Sequence, residues 1–524
     1  MSAGGSAAVA APAPHEAAPW LLRRAAASPA ALALRSGELA LSYAELARRV
    51  DALAVALRRE GVAPGRPLAV LCAGALEAAL CLHAAQRCGA ILLPLNTRLS
   101  APELGFQLAD SGARTLVFDP ALAPEAEALA RESAAVALEL ALSPAGEPAL
   151  RRVADPASAG DAAAPCDVPL CRHAALATPL AWLYTSGTTG RPKAAELSQR
   201  SFLASARGHA ALLGLRAGEG WLACLPLFHV GGLAILVRCT LASAFAELHD
   251  RFDPERVCAA LASGRIGLVS LVPTMLARVL DAWGERPAPS ALRAVLLGGA
   301  GAPPGLLERA RALHFPVAPS YGLTEAASQV ATRLPEEARA PLAARLRPLP
   351  GTELRIEAED GAVLAQGEVG EVCVRGGSLM TRYVRQPEAT REALRGGWLH
   401  TGDLGRLDAE GGLEILDRRA DLIVSGGENI YPAEVEAALL EHPAVAEAAV
   451  VARPDGEWGA RPVAFVVARG ETPPDPGALA RHCRARLAGY KVPVAFQLVG
   501  ALPRNAAGKL LRGALRAQAL EAGL

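Results

Sequence analysis

Thr185, Ser186, Gly187, Thr188, Thr189 and Gly190 stand in an unbroken row, and Lys193 follows in the same stretch, "YTSGTTGRPK". Each of the six is a glycine or carries a hydroxyl. Small residues let successive backbone N–H groups turn inward around an anion, and hydroxyls add donors. A lysine beside such a loop contributes a compact positive charge. The chemistry this permits is the holding of a phosphate chain. A plain Ser/Gly surface loop is the alternative. A Walker A loop is excluded, because there Gly-Lys-Ser/Thr opens a helix and "GRPK" places a proline instead. "GGAGAPPG" at 298–305 is not a dinucleotide fingerprint either, since its glycines are mis-spaced and two prolines replace the turn-and-helix pattern.

Lysine itself is informative. Lys and Arg together number 53, yet only Lys193, Lys491 and Lys509 are lysines. Lys193 belongs to the loop stretch, Lys491 to "AGYKVP" and Lys509 to "PRNAAGKLLR". Where arginine does nearly all the solvating, a retained lysine points to a place that a wide planar guanidinium does not fit.

These residues need elements to position them. From about residue 40 the chain alternates strand and helix. "RPLAVLCA", "LEAALCLHAAQRCGA" and "ILLPLN" form a βαβ pattern, which implies a parallel sheet covered on both faces. Residues 120–178 are rich in Ala, Pro and Glu and read as helix and loops. A second α/β series runs through "GLVSLVPTMLARVL", "LRAVLLGGAGAPPGLLERARAL" and "PVAPSYGLTE". From 351 to 417 short strands and Gly turns suit a small antiparallel or barrel-like piece. After Arg418 the pattern resets into a separate α/β domain of about a hundred residues. The expected fold class is α/β. A large N-terminal domain (1–417) carries two layered α/β sheets and a barrel-like part at about 345–417. A small mobile C-terminal α/β domain (418–524) follows.

Lys plus Arg and Asp plus Glu balance at 53 each, so no basic stripe suggests nucleic acid and no polybasic segment suggests a membrane surface. No apolar run is long enough to span a bilayer, so integral membrane association is not expected. The opening "MSAGGSAAVAAPAPHEAAPW" has no cationic start and reads as a frayed end rather than a signal peptide. Ten scattered cysteines, none in a C-x-x-C pair, read as small buried hydrophobes of a reducing cytoplasm.

"YTSGTTGRPK", "YGLTEAASQ", "GWLHTGDLG", "LDRRADLIVSGGENIYPAEVE" and "PRNAAGKLLR" follow one another in that order. Together they closely resemble the acyl-adenylate-forming superfamily of acyl-CoA synthetases, adenylation domains and luciferases. "LPLFHVGG", "SYGLTEAASQVAT" and "DRRADLIVSGGENIYP" look most like the o-succinylbenzoate–CoA ligases of menaquinone biosynthesis. The resemblance implies a cytoplasmic, AMP-forming acid–thiol ligase. A carboxylate attacks the α-phosphorus of ATP, and coenzyme A thiol then displaces AMP. The implied partners are ATP, Mg²⁺, coenzyme A and a small carboxylic acid, most simply o-succinylbenzoate, with a homodimer left open. Another aryl- or fatty-acyl-CoA ligase is the first alternative, and a nucleotide-binding sensor without catalysis the second.

The resemblance also implies residue roles. Lys509, Glu325, Thr185 and His229 form the catalytic set. Thr185 to Gly190 and Lys193 hold the β- and γ-phosphates. Tyr321 and Gly322 lie against adenine, with Gly299 and Ala300 on the other side. Thr324 contacts the α-phosphate and Glu325 holds Mg²⁺, a hard cation that prefers oxygen ligands. Asp403, with Arg418, takes the ribose. Lys509 reaches the oxygens joining ribose, phosphate and acyl carbon. Gly426 and Gly427 line a channel for the thiol arm, and Lys491 either approaches coenzyme A or orients its domain. By register the hinge is Ala420, where many relatives carry a polar residue. His229 gates the acyl pocket. Arg238, with Ser328 and Gln329, either pairs the second carboxylate of a diacid or snorkels from a helix.

Overall fold

The computed structural model describes residues 19–99, 101–154, 169–185, 192–299, 301–339, 345–418, 423–425, 428–430, 432–455, 458–470, 473–487, 489–505, 508 and 510–522. Two large sheets form the body. The first has eight strands, and its centre is the parallel set Ile91–Pro94, Pro67–Leu71, Thr115–Phe118 and Val136–Leu142. β1 (Pro179–Thr185) joins it parallel to Ile91–Pro94, and β2 (Lys193–Ser198) runs antiparallel to β1. The second sheet has nine strands, running from Arg347–Pro348 at one edge to Leu39–Ser42 at the other. It contains β3 (Val317–Leu323) and the antiparallel β4 (Ser328–Thr332).

Periodicity explains how the sheets are joined. Helix Tyr43–Arg59 opens with a capping box, in which Ser42 accepts from Glu45 N–H and the Glu45 carboxylate reaches back. It buries Leu46, Val50, Leu53 and Leu57 at three- and four-residue spacing. α1 (Gln199–Leu213) starts after β2 with its own serine cap, and α2 (Val230–Ala242) is apolar nearly all round. One continuous core therefore takes in Leu68, Leu92 and Ala181 of the first sheet and Trp221, Ala246 and Leu268 of the second. Fully burying each leucine in it contributes roughly 1.5–3 kcal/mol.

The expectation for 120–178 needs correction. Val136–Leu142 and Pro148–Ala154 are strands, paired antiparallel at the end of the first sheet. Alanine-rich segments carry weak strand propensity, and pairing at the sheet edge overrides it. The expected small antiparallel piece is present as β5 (Thr352–Glu357), β6 (Gly370–Gly376), β7 (Trp398–Leu407) and β8 (Leu413–Arg418), with Leu394–Arg395 added to β7. Beyond it, Val445–Asp455 and Gly459–Ala468 pair over ten registered positions in a further five-stranded sheet. Strand alternation gives that sheet two cores: Val450 faces Leu439 and Leu479, while Val451 faces Phe465 and Leu515. No helix among the described residues is long and apolar enough to cross a membrane.

Candidate active site

The two halves of the body meet where strand ends carry polar side chains. Thr185 ends β1 and pairs with Lys193 at the start of β2. Ser186, Gly187, Thr188, Thr189 and Gly190, which connect them, lie outside the described residues. Glu325 comes from the second sheet, in the short turn Thr324–Ala326 after β3. Its Oε1 accepts from Thr185 Oγ1 at 3.5 Å and from the Tyr383 hydroxyl at 2.8 Å. Lys193 Nζ stands 5.4 Å from the Tyr383 ring centroid, a cation–π arrangement. Two hydroxyls from separate segments thus meet one carboxylate oxygen, with Lys193 beside the Tyr383 ring. Among the described residues, Glu325 Oε2 has no hydrogen-bond donor, so a hard oxygen is available for a cation. The donor set therefore fits Mg²⁺.

Tyr383 was not singled out from sequence. Its position follows from Glu196, a buried carboxylate on β2. Glu196 accepts from Trp182 Nε1 at 3.0 Å, Thr381 Oγ1 at 2.6 Å and Arg382 at 3.0 Å. These bonds dock Arg382–Tyr383 against β2, with Tyr383 opposite Ala195.

A second cluster links the second large sheet to the small antiparallel sheet. The Tyr321 hydroxyl donates to Asp403 Oδ2 at 2.7 Å, joining β3 to β7. Asp403 is buried and pairs across the ladder with Arg418, the last residue of β8. Gly322 sits where β3 and β4 touch, and a Cβ there would lie 1.9 Å from Ser328 O. Gly299 follows strand Ala294–Leu297 with φ +83, a conformation that favours glycine. Thr324 opens the turn that carries Glu325. Ala300, Ala420, Gly426, Gly427 and Lys509 lie outside the described residues. Lys491 ends the turn Gly489–Lys491, with Nζ 5.9 Å from the Tyr490 ring centroid.

The residues read as an acyl pocket divide. His229 caps α2; burial and the nearby Arg98 push its pKa down to about 4, so the ring is neutral at pH 7. Its Nε2 is buried without a hydrogen-bond partner among the described residues, and the ring meets Phe228 edge-on at 4.7 Å. Arg238 and Gln329 instead share a buried polar cluster. Arg238 is 2 % exposed, which excludes a snorkelling side chain. It donates to Ser205 Oγ at 3.1 Å and stands 5.7 Å from the Trp221 ring centroid. Its Nε has no acceptor, and no carboxylate faces it among the described residues. Burial draws its pKa down to about 9. Gln329 Nε2 donates to Thr332 Oγ1 at 2.8 Å, and its Oε1 lies 2.9 Å from His209 Nδ1. Ser205 donates to Ala327 O at 2.8 Å, just before Ser328, whose φ of 94 is left-handed.

Ser205 and His209, absent from the sequence reading, sit one turn apart on α1, a spacing that marks a shared face. Ser205 and Gln329 also border a cavity of about 400 Å³ that Arg200 and Arg207 flank. Its size lies within the range of small-molecule sites.

Comparison with known proteins identifies two family segments. Residues 21–384 match the "AMP-binding enzyme" family, and residues 434–509 match the "AMP-binding enzyme C-terminal domain". The chain is 40% identical over 497 residues to a 2-succinylbenzoate–CoA ligase of Geobacillus kaustophilus, covering 95% of this chain and 97% of the relative. A Bacillus cereus protein of the same name is 39% identical, with 95% and 98% covered. Among solved structures, o-succinylbenzoate CoA synthetase from Bacillus subtilis, in complex with the acyl-adenylate intermediate OSB-AMP, superposes with a TM-score of 0.84. It is 37% identical, and the match covers 95% of this chain and 97% of that one. ATP-bound MatB from Rhodopseudomonas palustris gives 0.85 at 28% identity, covering 97% and 99%.

Proposed function

The chain belongs to the AMP-binding enzyme family, and on that premise we propose that it is an AMP-forming acid–CoA ligase acting on o-succinylbenzoate. The carboxylate is adenylated by ATP with release of pyrophosphate. Coenzyme A thiol then takes the acyl group, and AMP leaves. The observation that carries the first step is the convergence of Thr185, Lys193, Tyr383 and Glu325 beside the Tyr321–Asp403 pair.

In this reading Thr185 and the following loop, with Lys193, orient the phosphates, and Tyr321, Gly322, Gly299 and Ala300 hold adenine. Asp403 accepts the ribose hydroxyls, aided by Arg418, and releases or shares the Tyr321 hydroxyl. Glu325 would hold Mg²⁺, which when bound offsets charge on the phosphate oxygens. Thr324 contacts the α-phosphate. Lys509 offsets negative charge as the mixed anhydride forms. Positioning and charge stabilisation carry the step, with no covalent enzyme intermediate required. The domain after residue 418 then turns about Ala420, bringing Gly426 and Gly427 to the thiol arm, with Lys491 on the same domain.

The choice of acid rests on Arg238. A buried guanidinium with no carboxylate partner among the described residues favours a substrate that brings its own anion. o-Succinylbenzoate keeps one carboxylate after the other is activated. A fatty acid keeps none. His229, neutral at pH 7, borders the pocket without adding a competing charge.

A panel of acids tests this directly. Pyrophosphate release is expected with the aromatic diacid, and AMP release only when coenzyme A is added. Equal turnover of a monocarboxylic fatty acid would move the assignment to a general acyl-CoA ligase. No carboxylate-driven pyrophosphate exchange with any acid would leave a nucleotide-binding sensor.

A further inference from the structure

The small sheet holds a cluster that the ligase reaction does not use. Glu357 on β5 lies opposite Glu371 on β6, and Cys373 on β6 lies opposite His400 on β7. Glu371 and Cys373 are two residues apart on one strand, so their side chains share a face. His400 Nδ1 is 3.1 Å from Glu371 Oε2, 3.4 Å from Cys373 Sγ and 3.9 Å from Glu357 Oε2. The donor atoms of Glu357, Cys373 and His400 all lie within 4.8 Å of one another. Glu357, Cys373 and Glu371 are buried, and the His400 side chain is 7% exposed.

The spacings at His400 Nδ1, from 3.1 to 3.9 Å, bracket the edges of a tetrahedron around a borderline-soft cation. Zinc bonds of about 2.0 Å to nitrogen, 2.0–2.2 Å to oxygen and 2.3 Å to sulfur imply roughly 3.3–3.5 Å between neighbouring ligands. Sulfur, imidazole and carboxylate together favour zinc over magnesium or calcium.

The cation-free arrangement is also over-committed at one atom. Arg395 donates to His400 Nδ1 at 2.8 Å, which requires the lone pair there. The Glu371 carboxylate, which also pairs with Arg395 at 3.7 Å, faces the same nitrogen and could accept from it only if that nitrogen carried a proton. One ring nitrogen cannot satisfy both. Arg395 is 58% exposed, so its guanidinium can return to water when another cation takes the position. Arg355, paired with Glu357, stays beside the site.

We propose that Glu357, Cys373 and His400 form a three-ligand site for a zinc-class divalent cation, with Glu371 beside His400 at its edge, separate from the nucleotide-side carboxylate Glu325. Ligation by Cys373 forms a metal–sulfur bond, breaks the S–H bond and releases that proton to solvent. Glu371 Oε1 accepts from Gly402 N–H at 2.9 Å, so the cation would brace the strand next to Asp403.

The test uses the full, nucleotide-free chain with Zn²⁺ and Co²⁺ as probes. One equivalent of Zn²⁺ should survive desalting, with about one proton released per metal in unbuffered solution at neutral pH. Co²⁺ should give a thiolate-to-metal charge-transfer band. Cys373→Ser should abolish the band, and Cys373→Ser and His400→Gln should each weaken Zn²⁺ binding at least about tenfold. Cys171→Ser should keep both. Melting curves in metal-free buffer establish that each variant folds. If Cys373→Ser does not fold, the native cobalt spectrum and His400→Gln decide. Absence of the band in the native chain, or unchanged Zn²⁺ affinity in a folded variant, overturns the proposal.

Discussion

Arg238→Leu separates what the buried guanidinium costs the fold from what it gives the reaction. Burial lowers its pKa from the ordinary guanidinium value, roughly 12.5, to about 9. At about 1.36 kcal/mol per tenfold change in proton affinity, keeping the charge inside costs the fold about 5 kcal/mol. The group remains charged at pH 7 in both folded and unfolded chains. The cost is therefore full below pH 9 and declines as pH rises beyond it. Leucine removes this cost but gives up the bond to Ser205, worth about 1–3 kcal/mol. It also gives up the stacking on Trp221, worth roughly 1–2 kcal/mol. The net expectation is a variant more stable by about 1–2 kcal/mol, with a raised melting temperature. Activity should move the other way. Losing one side of a buried charge pair costs roughly 2–5 kcal/mol, or on the order of 100-fold in kcat/KM for a diacid. The assays are thermal melting and pyrophosphate release with o-succinylbenzoate. A variant that melts below the native chain, or keeps native kcat/KM for the diacid, refutes the reasoning.

Tyr383→Phe keeps the ring beside Lys193 but removes the donor to Glu325. Pyrophosphate exchange should need more Mg²⁺ and show about a tenfold loss at limiting Mg²⁺, as expected for a bond to a charged acceptor. Burial of His83 lowers its pKa to about 4, so below pH 6.5 the unfolded chain takes up a proton that the folded chain refuses. Stability should fall as pH drops from 6.5 to 4, by about 3 kcal/mol from this residue alone, and denaturant unfolding of His83→Gln should show a flatter acid limb. Lys509→Ala should abolish most carboxylate-driven pyrophosphate exchange, by about 100-fold or more, while thioester formation from pre-made acyl-adenylate persists.

Much of the candidate site could be named from sequence because its proposed chemistry is written in neighbouring residues. Thr185 and Lys193 flank one run of glycines and hydroxyls, and Tyr321 to Glu325 occupy five consecutive positions. The α/β alternation was legible for the same reason, since each strand and helix carries its own period. What escaped depends on chain segments meeting late. His209 meets Gln329 across 120 positions, and Tyr383 meets Glu325 across 58. Neither partner has a local signature. The hairpin at 136–154 escaped because alanine and glutamate do not announce a strand, and its pairing with the sheet decides the matter.

Position 322 constrains how this enzyme can change. Any side chain there would run into the main chain of the facing strand, which has no flexible end to yield. On the proposed reading, selection for a new acid would leave that crossing alone and act on the helix-borne polar cluster of Ser205, His209 and Arg238, of which Ser205 borders the cavity. Libraries aimed at altered acid preference should hold glycine fixed at 322 and spend their diversity on those three.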